Sequence, residues 1–287
     1  MPRVTNVNQP PYSAVGLLAM RWSTDGQWTY GSGALIDRYT ILTCAHNLVD
    51  QITDPPPRGY AAEIRFYRAY NQQRVGNPPA GGEVIEGSFY PTQFQQGEDA
   101  WDVGVCKLVN PIAPGGNFFY FVPVETGPEI IGQDVNLTGY PGPRNGEMWW
   151  ERDQVAGIHV PTNTIIYTHD TWRGNSGSPT WTYDNENNVV KQHAIHVQRQ
   201  AQELRRGVLV TRQILAWIQT ARHFADSTSQ VSAPQEVKVE TERAESAGCL
   251  RVEALAGSLR EPTELCAEHV RQLGGESPLL NLMEVKS

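Results

Sequence analysis

Short runs in which apolar and polar residues alternate follow one another along most of this chain, and turn residues separate them. Such runs predict β-strands with one buried face. In the first half they cover 12–22, 31–36, 39–44, 62–70, 84–89 and 103–108. In the second half they cover 120–124, 134–140, 148–155, 164–168, 179–183, 189–197 and 207–211. Strands of this length and spacing favour antiparallel barrels over alternating strand–helix units.

Helical spacing replaces the alternation near the C-terminus. Leu215, Ile218 and Ala221 recur at helical intervals and predict a helix over 215–224. After a polar linker at 227–234, two further sets have helical spacing: Val252, Leu255, Ala256 and Leu259, and then Cys266, Val270 and Leu273 behind a capping Thr263. These sets predict a helical hairpin in a short C-terminal extension.

The distribution of aromatic residues marks the boundary of that extension. Every Trp, Tyr and Phe lies at or before Phe224, whereas residues 226–287 have eleven acidic and six basic side chains and no aromatic ones. A segment of this composition does not build the same kind of core. We therefore predict one domain over 1–225, made of two barrels that meet near 115–125, and an acidic linker with a helical extension over 226–287.

A serine between glycines is the first candidate for chemistry. The segment 173–179 reads Arg-Gly-Asn-Ser-Gly-Ser-Pro, with Ser176 at its centre. Gly174 and Gly177 permit backbone conformations that a Cβ opposes. The N–H groups of Gly174 and Ser176 could then form an oxyanion hole for a carbonyl group attacked by Ser176 Oγ.

A nucleophilic serine needs a base and a group that orients the base. His46 follows the strand that ends in Thr43-Cys44, and Asp102 stands directly before the apolar strand Val103–Leu108. Glu98 and Asp99 are nearby alternatives to Asp102. We prefer Asp102, because at the mouth of an apolar strand its carboxylate can be buried against the imidazole. The predicted triad is His46, Asp102 and Ser176.

Three segments together resemble the catalytic blocks of chymotrypsin-like serine proteases. They are Thr43-Cys44-Ala45-His46, Asp102-Val103-Gly104-Val105 and Gly174-Asn175-Ser176-Gly177-Ser178-Pro179. The chain is most similar to the glutamyl endopeptidase (V8-like) branch, which also has Gly139-Tyr140-Pro141-Gly142 and Ile195-His196. The resemblance covers 12–224. It implies a mostly β, trypsin-like fold with two packed antiparallel six-stranded barrels and a C-terminal helix.

The resemblance also implies an activity and a specificity. A serine endopeptidase of this branch works through a Ser-His-Asp triad and an acyl-enzyme, and it cuts after Glu or Asp. The positions that match its primary pocket are Thr171 and His196, whose hydroxyl and imidazole groups can donate to a carboxylate. Val197-Gln198-Arg199 stands where the branch has small residues. Arg199 is therefore a third candidate, either adding charge for an acidic side chain or narrowing the pocket.

Composition narrows the possible partners. The net charge is −8 and the pI is near 5.4, which argues against general nucleic-acid binding and against anionic membranes. No cysteine or histidine spacing resembles a zinc site, so we expect no metal and no cofactor. Family members are mostly secreted. Because residues 1–6 show no apolar leader, we expect a cytoplasmic protein if Met1 is the native start.

Two alternatives to an acid-specific protease stay open at this point. The first is a protease of other specificity, gated by a regulatory partner that binds the C-terminal extension. The second is a catalytically silent protease fold that acts as a binding module, although such modules usually lose one member of the triad. If the chain is an acid-specific protease, as we prefer, its partner is a protein or peptide substrate.

Overall fold

The alternating segments form strands in the computed structural model, which describes residues 1–50, 58–73, 78–112, 120–197, 205–227, 235–240, 250–254 and 263–265. In the first half these are β1 (Val15–Trp22), β2 (Trp28–Leu35), β3 (Thr40–Thr43), β4 (Val49–Asp50), β5 (Gly59–Arg68), β6 (Glu83–Pro91) and β7 (Gly104–Leu108). In the second half they are β8 (Phe121–Pro123), β9 (Asp134–Gly139), β10 (Trp149–His159), β11 (Thr164–Tyr167), β12 (Pro179–Asp184), β13 (Val189–His196) and β14 (Arg205–Leu209). The α-helices are α1 (Thr92–Gln95) and α2 (Arg212–Ser227).

Six strands close the first barrel in the order β1-β2-β3-β7-β6-β5, with β5 returning to β1. All pairings around it are antiparallel. The predicted turn at Asp37-Arg38 joins β2 to β3, and the Asp37 carboxylate accepts the N–H groups of Tyr39 and Thr40. That turn is held from outside as well, because Arg222 of α2 pairs with Asp37.

The second barrel closes in the order β9-β10-β11-β14-β13-β12, with β12 returning to β9. Here too all pairings around the barrel are antiparallel. Strand β8 lies outside the ring and pairs in parallel with β13. The prediction of two six-stranded antiparallel barrels is confirmed. The predicted boundary near 115–125 stays a prediction, since 113–119 lie outside the described residues.

The predicted C-terminal helix is confirmed as α2, which packs against β6 and β7 of the first barrel. Ile214, Trp217, Ile218 and Ala221 are buried along one face, and Trp217 is fully buried. Burying this apolar stripe fixes the helix on the barrel. Among the described residues, no helix is both long and apolar enough to span a membrane.

The N-terminal arm connects the two barrels. The backbone of Arg3 forms an isolated antiparallel β-bridge with Trp149 of β10, and the Val4 N–H donates to the Met148 carbonyl group. From the first barrel's side, the Asn71 amide donates to the Val4 carbonyl group and accepts the Met148 N–H. Residues 1–4 therefore lie between the barrels and bind both.

The C-terminal extension differs from the prediction. The structure describes three strands there: β15 (Gln235–Glu240), β16 (Leu250–Ala254) and β17 (Thr263–Leu265). Strand β15 pairs in parallel with β6 at Phe89–Pro91, and β16 and β17 continue the sheet. The helical prediction is wrong for 250–254 and 263–265. Leu250, Val252 and Ala254 also alternate with charged residues, and this strand pattern competes with the helical one. The rest of the predicted hairpin, 255–262 and 266–273, lies outside the described residues.

Candidate active site

The ends of β3 and β7 lie side by side, because Thr43 pairs with Gly104. His46 lies in the short 3-10 turn Ala45–Asn47 that follows β3, and Asp102 follows the turn Asp99–Trp101 that precedes β7. A Cβ atom on Gly104 would lie 2.6 Å from Leu48 Cδ1 and 3.1 Å from the Cys44 carbonyl oxygen, which belongs to the backbone. Glycine therefore permits the close approach that brings His46 and Asp102 together.

Asp102 holds His46 with both of its carboxylate oxygens. Its Oδ2 lies 2.6 Å from His46 Nδ1, and its Oδ1 accepts the His46 backbone N–H at 2.9 Å. The Asp102 side chain is 1% exposed, whereas that of His46 is 19% exposed. A buried carboxylate bonded twice to one residue fixes both the orientation of the ring and the proton on Nδ1.

This pairing also sets the protonation of His46. Burial by itself lowers the pKa of His46, but the negative charge of Asp102 and its hydrogen bond outweigh burial and hold the pKa well above the ordinary histidine value. An imidazole must be neutral to accept a proton. The pair therefore favours a base that works at neutral to alkaline pH and is lost in acid.

Cys44 is the other neighbour of the imidazole, with its Sγ 3.6 Å from His46 Nε2. Donor atoms of Cys44, His46 and Asp102 lie within 4.8 Å of one another, close enough to hold a metal ion. However, burial raises the pKa of the Cys44 thiol, and Asp102 already uses both oxygens on His46. A protonated thiol is a poor metal ligand. The cluster therefore fits a histidine base better than a metal centre.

The loop with Ser176 needs its glycines. Gly174 has φ +100° and Gly177 has φ +87°, values that strain any residue with a Cβ. A Cβ on Gly177 would also lie 2.1 Å from the Ser32 carbonyl oxygen. The turn is tight, since the Ser178 N–H donates to the Asn175 carbonyl group.

Backbone and amide groups of the first barrel bind this loop directly. The Ser176 carbonyl oxygen accepts the Ser32 N–H at 2.8 Å and the Asn47 Nδ2 group at 3.0 Å. Ser32 Oγ donates to the Gly174 carbonyl group at 2.7 Å and accepts the Tyr140 N–H at 3.0 Å. Asn47 is the residue next to His46, so these bonds bring the nucleophile loop to the His46–Asp102 pair.

The N–H groups of Gly174 and Ser176 are the candidate oxyanion hole. In the described part of the chain neither donates a hydrogen bond. The carbonyl group of Gly174 is bound to Ser32 and that of Arg173 to the Gly142 N–H, so the peptide units on both sides of Gly174 are held. The two donors are therefore available on a fixed backbone.

Thr171 and His196 lie beside the same loop. His196 binds the loop through its backbone, because its carbonyl group accepts the Gly177 N–H and its N–H donates to the Ser178 carbonyl group. Both side chains are fully buried. Among the described residues, Thr171 Oγ1 and His196 Nε2 have no hydrogen-bond partner. Two unpartnered buried polar atoms are costly unless a ligand pairs with them.

His196 is uncharged at neutral pH. Burial is the largest cause that lowers its pKa, to about 3, and the positive charges of His169, His46 and Arg205 add to it. Its Nδ1 is 2.5 Å from the Tyr167 hydroxyl group. That bond fixes the ring and leaves Nε2 as the atom that can face a ligand.

Similarity to known proteins agrees with this geometry. Residues 31–190, more than half of the chain, match the family described as trypsin-like peptidase domain. The chain belongs to the trypsin-like peptidase family. The resemblance predicted from the three sequence blocks is thereby confirmed.

Curated relatives of this peptidase domain include glutamyl endopeptidases. That of Bacillus licheniformis is 27% identical over 179 residues, which is 62% of this chain and 52% of the relative. That of Staphylococcus aureus (strain MRSA252) is 29% identical over 161 residues, which is 54% of this chain and 40% of the relative. The chain spans about half the length of the curated relatives it matches.

Solved structures share the fold of this peptidase domain. One described as Glu endopeptidase in complex with MPD has a TM-score of 0.61 at 21% identity, and the match covers 77% of this chain and 96% of that one. A scabies mite inactivated protease paralogue has a TM-score of 0.56 at 16% identity, with 77% and 99% covered. At these identities the likeness shows the fold alone.

The peptidase domain brings together most of the residues that the sequence singles out. His46 and Asp102 are bonded, and Gly174, Ser176, Thr171 and His196 lie on or beside one loop. Arg199 lies outside the described residues. The sequence reasoning missed Ser32 and Asn47, which bind the loop. A signal for Ser32 exists, since Gly31-Ser32-Gly33 puts small residues in a strand, where another backbone can approach closely.

Replacing Asp102 by Asn should lower the pKa of His46, because the charge that raises it is removed while burial remains. Activity is lost as the pH falls through the pKa of His46, so the acid limb of the kcat/KM profile should move to lower pH. The rate should also fall about 10³- to 10⁴-fold, because Asn favours the wrong imidazole tautomer. The pH dependence of kcat/KM in both proteins measures this. An acid limb that stays in place or moves upward would contradict the assignment; Asp25→Asn, at an exposed turn, is the control.

Replacing Ser32 by Ala should leave the Tyr140 N–H and the Gly174 carbonyl group without their shared partner. We expect the free energy of unfolding to fall by about 1–3 kcal/mol, and kcat to fall more than KM rises, because Gly174 carries an oxyanion donor. Denaturant unfolding and steady-state kinetics test both effects. Ser13→Ala is the matched control, since Ser13 is equally buried and its Oγ has no partner in the described part of the chain. Equal effects of the two substitutions would remove the proposed role of Ser32.

Proposed function

We propose that this peptidase domain is a serine endopeptidase that cuts peptide bonds after Glu or Asp. One observation carries the proposal. A buried carboxylate, Asp102, binds His46 twice, and the next residue, Asn47, binds the carbonyl group of the glycine-flanked Ser176. A base, its orienting group and a nucleophile are thus brought together at the seam, the place where the two barrels meet.

The proposed reaction follows from these positions. His46 Nε2 accepts the proton of Ser176 Oγ as the oxygen attacks the substrate carbonyl carbon, and it then donates that proton to the leaving amine. Asp102 stabilises the imidazolium ion that forms in between. The N–H groups of Gly174 and Ser176 bind the oxyanion. Water then attacks the acyl-enzyme, again with His46 as the base.

The acidic specificity is supported by the polar atoms beside the loop. Thr171 Oγ1 can donate to a carboxylate. If the Tyr167 hydroxyl group donates to Nδ1, the hydrogen of the neutral His196 ring lies on Nε2, which can then donate too. A substrate carboxylate would thus give both buried atoms the partner they lack. The glutamyl endopeptidases among the relatives agree with this pocket. A role for Arg199 stays a prediction from the sequence.

A gated protease is the second candidate, and one observation favours it. The extension adds β15 to the first barrel at Phe89–Pro91 of β6. Strand β6 is itself followed along the chain by α1 and by the turn before Asp102. A partner that displaced β15 would act on the segment that positions Asp102.

A silent binding module has less support, because no member of the triad is missing. The expected partners remain a protein or peptide substrate and a regulator at the extension.

The decisive test of the proposed function is hydrolysis of fluorogenic peptides that differ only in the residue before the cleaved bond. We expect cleavage after Glu and Asp, and kcat/KM for Glu at least about 10-fold above that for Gln, since hydrogen bonds to a carboxylate are about twice as strong as those to a neutral amide. Ser176→Ala is the control and should remove all cleavage. Cleavage after other residues would keep the triad and overturn the pocket. No cleavage by the folded protein would favour the gated protease or the silent binding module. Deletion of 226–287 separates these two, because it removes the proposed site of the regulator and changes the activity only of a gated protease.

A further inference from the structure

The first residue of β14 lies next to the candidate pocket. Arg205 pairs with Tyr167 across the strands β14 and β11, and Gly207 pairs with His196 across β14 and β13. Cross-strand partners of an antiparallel pair point to the same face, as do residues two apart on one strand. The side chains of Arg205, Tyr167 and His196 therefore leave their strands on one face.

That face is the interior of the second barrel. Ile165, Tyr167, Ala194 and Leu209 alternate along the same strands and form its buried core. Near its end the core becomes polar, where the Tyr167 hydroxyl group binds His196 Nδ1. Gly207 keeps this end open, since a Cβ there would lie 3.2 Å from the Tyr167 hydroxyl oxygen.

Arg205 is half-buried at this polar end, and within the described part of the chain it forms no ion pair. The carboxylates on β10, the strand on the other side of β11, are bound elsewhere. Glu151 accepts the Asp170 N–H and pairs with the Met1 amine, and Asp153 accepts the Thr168 hydroxyl group. Arg205 is close enough to His196 for its positive charge to help lower the pKa of that imidazole. A half-buried cation without a counter-charge is costly, and an incoming carboxylate would offset that cost.

We propose that Arg205 supplies the positive charge of the primary pocket and pairs with the acidic side chain of the substrate. Thr171 and His196 are both neutral there, and they add hydrogen bonds and orientation. The inference rests on the proposed function and names the residue that makes the pocket acid-specific. It assigns the charge to β14, six positions beyond the Arg199 that the sequence suggested. Guanidinium is suited to this role, because its planar donors bind a carboxylate in pairs.

Arg206 offers a matched control. It is the next residue along β14, it is also half-buried, and it has the same charge. It pairs with Ile166, so its side chain leaves the strand on the opposite face, away from His196. Its backbone carbonyl group accepts the Val197 N–H, a bond that a side-chain substitution keeps.

The experiment compares kcat/KM for two peptides that differ only by Glu or Gln before the cleaved bond. In Arg205→Gln we expect the value for Glu to fall about 10- to 100-fold, as for loss of one partner of a buried charge pair, and the value for Gln to stay within about 3-fold. Arg205→Lys should recover part of the loss, because it keeps the charge. Arg206→Gln should change neither value.

Other outcomes separate this inference from the proposed function. If the wild type prefers Glu, but Arg205→Gln lowers kcat/KM equally for both peptides or for neither, then Arg205 is not the charge of the pocket and the proposed function stands.

If the wild type does not prefer Glu, the proposed specificity fails. Binding to Ser176→Ala then tests Arg205 separately, with acetylated tripeptides that end in Glu or Gln. Tighter binding of the Glu peptide that Arg205→Gln removes would support the inference, and equal binding of the two peptides would overturn it.

Discussion

The carbonyl oxygen of Ser176 is the point on which the structure of the site depends. It belongs to a loop of the second barrel, yet it accepts hydrogen bonds from Ser32 and Asn47 of the first. Neither barrel contains a complete site, because His46 and Asp102 come from one and Ser176 from the other. Reactive groups contribute most when their relative positions are fixed in advance. These two bonds provide that fixation where the barrels meet.

The surrounding structure supports this contact with small residues and buried polar groups. Gly177 lets the loop approach the Ser32 carbonyl group, and Gly104 lets β7 approach the turn after His46. Arm residues 1–4 bind both barrels a short distance away. Asp102 is buried and uses both oxygens on His46. A buried charge and tight glycine turns thus meet where the two barrels join.

The sequence predicted the barrels and most of the candidate site for a physical reason. Alternation or short apolar runs between turn residues mark the barrel strands. His46 follows such a run, Asp102 precedes one, and glycines mark the Ser176 loop. Thr171 and His196 were predicted from the family resemblance. Contacts that depend on two distant segments were not predictable in this way. Ser32 and Asn47 bind Ser176 across more than a hundred residues of sequence. Arg205 lies beside His196 only because of the strand register.

The extension was predicted less well because its pattern is ambiguous. Leu250, Val252 and Ala254 satisfy the strand period, while Val252, Leu255 and Ala256 satisfy the helical one. Pairing of β15 with β6 extends the sheet of the first barrel, and that tertiary contact selects the strand. Local propensity is a weak guide where an unpaired sheet edge is available.

The central claim is that His46 and Asp102 activate Ser176 on this seam. Labelling with a fluorophosphonate, followed by intact-mass and peptide mass spectrometry, tests it without any assumption about specificity. The account predicts one adduct per chain, on Ser176, and its loss in His46→Ala. Folded wild-type protein that takes up no label, or label that persists in His46→Ala, would contradict it.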